Sequence, residues 1–144
     1  MTHHDKGNYS AKHAPDSLLN KDIAREVEKR TTDGKMTCAE AEIIATELNV
    51  SMAEVGVALD LMEIRLSKCQ LGLFGFEPEK IIIKPAEEID IDLERAIDDC
   101  LVDGRLPCQA AWEIAWRFSI PRMDVSSACE ALKIKIKPCQ LGAF

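Results

Sequence analysis

The sequence predicts a mainly helical α+β protein built from two tandem copies of one small unit, each with three helices and a short antiparallel sheet. Three observations predict it. Residues 21–74 and 91–144 align at a constant offset of 70 without a gap, with 16 identities over 54 positions, and a repeat of this period implies one folding unit per copy. Within each copy, apolar residues recur at helical spacing between capping and turn residues. Each copy then closes on an alternation of polar and apolar residues, the pattern of a strand.

In copy one, Asp22–Arg30 reads as a first helix, with Ile23 and Val27 four apart on one face. Thr31-Thr32-Asp33-Gly34 breaks it, Gly34 being suited to a left-handed helix end. After a short extended link, Thr37 and Glu40 have the spacing of a capping box for a second helix to about Leu48. Asn49-Val50-Ser51 is a tight turn, and Ser51 can cap a third helix to about Met62. Glu63–Ser67 alternates as a strand, the Cys69–Phe74 run continues it, and Lys80–Lys84 reads as a returning strand. Copy two ends at Phe144 without a counterpart of that returning strand. Its open edge is expected to pair with the copy-one connector strand or with a second molecule.

The order helix, short strand, helix, turn, helix, strand resembles the winged helix-turn-helix family. Ala45 stands where two helices approach closely, Asn49 at the turn position, Val50 as a plug, and Val55 and Ala58 on the inward side of the third helix. Ala115, Ser119, Ile120, Val125 and Ala128 repeat the pattern, with Ser119 departing from the usual Gly or Asn. The resemblance covers most of both copies and implies small β wings and a recognition helix in each. The domain organisation expected is a disordered tail at 1–20, a winged-helix-like repeat at 21–84, a connector at 85–90 and a second repeat at 91–144.

The formal net charge is −7, of which copy one and residues 75–90 contribute −3 each and copy two −1. An acidic chain repels nucleic acid at long range, so a DNA-contacting surface would have to be local and in copy two. No apolar run reaches the ~18 residues of a membrane span, and the polar start carries no apolar core of a signal peptide. Six cysteines without an export signal suit a reducing cytoplasm. His3, His4 and His13 fall in the tail, leaving no histidine in the repeats for acid–base work. No phosphate loop or protease motif is present, so a non-enzymatic protein is expected.

Differences between the copies point to contacts. Trp112 and Trp116 replace Glu42 and Thr46, while Glu113 replaces Ile43. Two indoles four residues apart bury a large apolar area, either between the copies or against the connector, or at a partner-docking or self-association surface. The third helix of copy one presents Ser51, Met52, Ala53, Gly56, Val57 and Asp60, a poor base-reading set. Copy two presents Arg122, Ser126 and Ser127 with Arg117 preceding them, and Lys133, Lys135 and Lys137 on one side of a strand, as a phosphate-touching wing would.

Cys38 and Cys69 are 31 apart, as are Cys108 and Cys139. Cys38 would start a helix, whose dipole favours a thiolate. Each pair could pack at a sheet–helix junction, form one reversible disulfide, or supply two sulfur ligands. No cofactor is required; zinc or an iron–sulfur cluster held by four such thiols is the alternative. Cys100 and Cys129 replace Arg30 and Leu59 as filler. The Cys-Gln-Leu-Gly block at 69–72 and 139–142 is the best-kept piece, and Gln70 and Gln140 are its least packing-like members. The expected function is a transcription-regulator-like protein binding DNA through copy two. The alternatives are a protein-docking adaptor or homodimer using Trp112 and Trp116, and a thiol-based metal or redox sensor.

Overall fold

The computed structural model describes residues 19–76 and 82–144. In chain order these form α1 (Lys21–Arg30), β1 (Lys35–Thr37), α2 (Cys38–Leu48), α3 (Met52–Leu61), β2 (Arg65–Ser67), α4 (Ile91–Asp99), α5 (Cys108–Phe118) and α6 (Arg122–Leu132). The described chain is thus mainly helical, with six helices and one two-stranded sheet. The tail expected at 1–20 lies, up to residue 18, outside the described residues. So do residues 80 and 81 of the expected returning strand, and its remainder, 82–84, is irregular.

Local chemistry explains the element ends. Asn20 opens α1 by accepting the Asp22 and Ile23 N–H groups at 2.9 and 3.1 Å, and α1 buries Ile23 and Val27. The helix does not end at Gly34. Thr31 is already extended, and Asp33 and Gly34 both take positive φ, 52° and 72°. They form a two-residue hairpin turn across which Thr32 and Lys35 exchange both backbone hydrogen bonds at 3.0 Å. An Asp-Gly pair is the favoured filling of such a turn, because both central residues need positive φ. Asp103 and Gly104 repeat it at 52° and 77°.

Thr37 caps α2 by accepting the Glu40 N–H at 3.1 Å, while the Glu40 carboxylate accepts from the Thr37 hydroxyl. Pro107 replaces Thr37 before α5, which has no side-chain cap. Asn49 ends α2 at φ 54°, and Ser119 ends α5 at the same 54°, so the departure at Ser119 leaves the turn shape unchanged. Val50 and Ile120 then donate to the Ala45 and Ala115 carbonyls at 3.0 Å. Ser51 and Glu54 form a full capping box on α3.

The sheet corrects the expectation of antiparallel wings. β1 and β2 pair in parallel, Lys35 with Arg65, Met36 with Leu66 and Thr37 with Ser67. Copy two keeps one parallel bridge, Leu106 with Ile136, where a strand over 133–137 was expected. Among the described residues no hairpin follows α3 or α6. Each strand is cut short by its next residues: Lys68 turns to φ 48°, and Pro138 has no N–H to donate. The Cys69–Phe74 run therefore makes turns instead of continuing the strand.

The chain divides into two compact units, and their bounds are not those of the two copies. Unit 1 runs up to Cys69 and takes in Gln140–Phe144; unit 2 is Gln70–Cys139. Each copy's terminal block belongs to the unit built on the other copy. Leu141 joins Ile23, Val27, Met36, Ile44, Val55 and Leu59 in the buried set of unit 1. Leu71 joins Leu93, Ile97, Leu106, Ile114, Val125 and Ile136 in unit 2.

Candidate functional site: the outer faces of α5 and α6

In unit 2 two of the residues expected to read DNA, Arg122 and Ser126, are taken up within the unit. Arg122, first residue of α6, donates from Nη1 to Gln70 Oε1 at 2.6 Å, and its Cζ lies 3.7 Å over the Trp112 ring centroid. A guanidinium stacks well on an indole, and its charge strengthens the bond to the amide oxygen. Ser126, one turn further, is only 2% exposed and its Oγ has no hydrogen-bond partner. The Ser127 carbonyl accepts the N–H of Ala86 at 3.0 Å. Connector residues thus lie on α6, where a pairing with the copy-two strand edge was expected. Ile82 and Ile83 crowd Gly72, whose φ is 75°, which packs the connector against the same block that Arg122 holds.

The matching helix of unit 1 is covered too. A Cβ placed on Gly56 of α3 would lie 2.8 Å from the carbonyl carbon of Leu141 and closer still to its oxygen. Gly56 and Asp60, expected on an exposed face, are buried. The position of Arg122 is taken in unit 1 by Met52, which has no guanidinium for Gln140. Sequence reasoning singled out Gln70 and Gln140 but missed the role of Gly56. Its signal was the exchange of Gly56 for Ser126 between copies, where a close backbone approach admits only glycine.

What unit 2 leaves open lies on α5 and after α6. Trp112 is half-buried beneath Arg122, with its indole Nε1 buried and unpartnered. Trp116 is 82% exposed. Gln109, Glu113 and Arg117 are exposed on the same side of α5, one turn apart from each other or from Trp116. Lys133, Lys135 and Lys137 are exposed around the buried Ile136, so the alternation read from the sequence holds even though the strand is a single bridge.

The cysteines sort by unit. Cys38 and Cys69 lie in unit 1 and are buried; Cys108, buried, and Cys139, half-buried, lie in unit 2. Among the described residues no three His, Cys, Asp or Glu side chains gather as metal ligands. Cys129 is 1% exposed, and burial, with the neighbouring Glu130 carboxylate adding to it, pushes its thiol from 9.0 up to about 12. A thiol raised in the folded state holds its proton while the unfolded chain loses it. Its stabilising contribution is therefore complete below pH ~9 and is lost as pH rises toward ~12. The urea midpoint of the wild-type chain will fall across that window more steeply than that of Cys129→Val, measured in parallel.

No protein-family model, no curated protein and no solved structure matches this chain.

Proposed function

We propose that the chain is a non-enzymatic protein-docking module of tandem winged-helix-like architecture, and that α5 of its second copy carries the docking face. The observation that supports this best is Trp116, 82% exposed and flanked on one side of α5 by Gln109, Glu113 and Arg117. Tryptophan and arginine are the residues that most often dominate a protein interface, set inside a polar rim. A helix bearing one large aromatic anchor suits a partner with an apolar groove and polar edges. The face expected to read DNA is poorly placed to do so, since Ser126 is buried and Arg122 is held by Gln70 and Trp112.

One observation favours a second reading, contact with DNA phosphates through the exposed Lys133, Lys135 and Lys137. Such contact would position the protein without reading sequence. A photo-crosslinker at Gln109, on the rim of the face, distinguishes the two. In cells of the source organism it will capture a discrete protein, and Trp116→Ala will reduce that capture at least ~10-fold, the loss of one interface anchor. Retention of discrete DNA fragments at moderate salt, abolished by replacing the three lysines, would overturn the docking reading.

A further inference from the structure

Beyond the isolated bridge between Leu106 and Ile136, one further backbone hydrogen bond brings two cysteines together. Leu106 N–H donates to the Lys135 carbonyl at 2.9 Å, and Lys137 N–H to the Leu106 carbonyl at 2.8 Å. Two residues on, Cys108 N–H donates to the Pro138 carbonyl at 3.0 Å. The register has slipped by one residue there, since Leu106 donates to Lys135 and not to Ile136, and the accepting carbonyl belongs to the peptide that joins Pro138 to Cys139. A residue that donates to the carbonyl of this peptide is a close backbone neighbour of Cys139, as a disulfide requires, with Cα atoms roughly 4.4–6.8 Å apart. Cys139 is half-buried and Cys108 is 5% exposed, so one thiol meets a reagent and the other waits behind it. Cys139 is also the last residue of unit 2, immediately before the block that completes unit 1.

We propose that Cys108 and Cys139 are a reversible disulfide site that fixes the root of the Gln140–Phe144 block. The oxidant is a low-molecular-weight disulfide of the glutathione class. The Cys139 thiolate attacks one of its sulfurs, a new S–S bond forms, and one small thiolate leaves. The thiolate of Cys108, the first residue of α5, then attacks Cys139 Sγ and displaces the second small thiolate. Two protein thiols lose two protons and two electrons, and one small disulfide becomes two thiols. Cys38 and Cys69 are both buried, so the same reagent has no comparable entry in unit 1. This inference stands independently of the docking reading.

The test is incubation of the native full-length chain with glutathione disulfide, followed by alkylation, intact mass and peptide mapping. The expected product is about 2 Da lighter, by the two hydrogens removed, and yields one cross-linked peptide holding Cys108 and Cys139. Cys108→Ser will instead keep a glutathione adduct on Cys139, because the resolving thiol is gone. Oxidation will slow amide hydrogen exchange at Leu141 several-fold, and dithiothreitol will reverse it. A persistent adduct on Cys139 in the unsubstituted chain, a cross-link between other cysteines, or no reaction overturns the site. Unchanged exchange at Leu141 overturns its anchoring of the block.

Discussion

Leu141→Ala will loosen the first copy of the repeat and leave the second largely intact. Leu141 is written in copy two, yet it is 3% exposed within unit 1, beside α3. Removing a buried leucine to its Cβ costs ~2–5 kcal/mol, from lost transfer energy and from the cavity left behind. That is a large share of the stability of a small domain. Local stability can be read helix by helix from amide hydrogen exchange. The expected pattern is faster exchange through α1, α2 and α3, with α4, α5 and α6 little changed. Leu71→Ala, removing a fully buried side chain of unit 2, will give the mirror pattern. If each substitution instead weakens the copy in which it is written, the blocks sit on their own copies and the division into units described above is wrong.

Gly56→Ala will have the second large effect, and it isolates the contact without touching the block. The added methyl meets backbone atoms of Leu141, which no side-chain rotation can relieve. Leu141 must move outward or α3 must shift, and overpacking of this kind costs ~1–3 kcal/mol, occasionally more. In an exposed helix interior, Gly→Ala would stabilise by up to ~1 kcal/mol, so the two environments predict opposite signs. The urea midpoint of the variant decides between them. A raised midpoint would mean that α3 presents Gly56 to solvent, as a recognition helix would.

Much of the local structure was legible in the residues. The offset of 70 carried over to the helix bounds, with α2 and α5 starting at Cys38 and Cys108 and α3 and α6 at Met52 and Arg122. Ser51 as the cap of α3, and Asn49 at a positive-φ turn, act as their chemistry demands. The sense of the sheet was not legible, because a three-residue strand alternates identically whichever way its partner runs. The exchange of the terminal blocks was hidden for a related reason. Gln-Leu-Gly-x-Phe is common to both copies, so its own residues cannot say which copy they complete. The asymmetry is written on the receiving helices, where Gly56 of α3 lies against Leu141 and Arg122 of α6 holds Gln70, while Ser126 and Met52 stand at the matching positions of the other copy. The tryptophans divided in a way that spacing alone does not dictate. Arg122 covers Trp112, and nothing in unit 2 covers Trp116 to the same extent.

The assignment of Gln140–Phe144 to unit 1 has a consequence for synthesis. A ribosome makes the chain from its N-terminus, and domains ordinarily fold as they emerge. Unit 1 is begun first, but its last buried residues, Leu141 and Ala143, are translated only after every residue of unit 2. Through that interval the α3 surface around Gly56 lacks its native cover. The only Gln-Leu-Gly-x-Phe segment yet made is the one at 70–74, whose destined site on α6 is still unwritten. The nascent chain therefore passes through a stage in which the wrong block is the nearer one, and Arg122, by holding Gln70, is a residue that can draw it away.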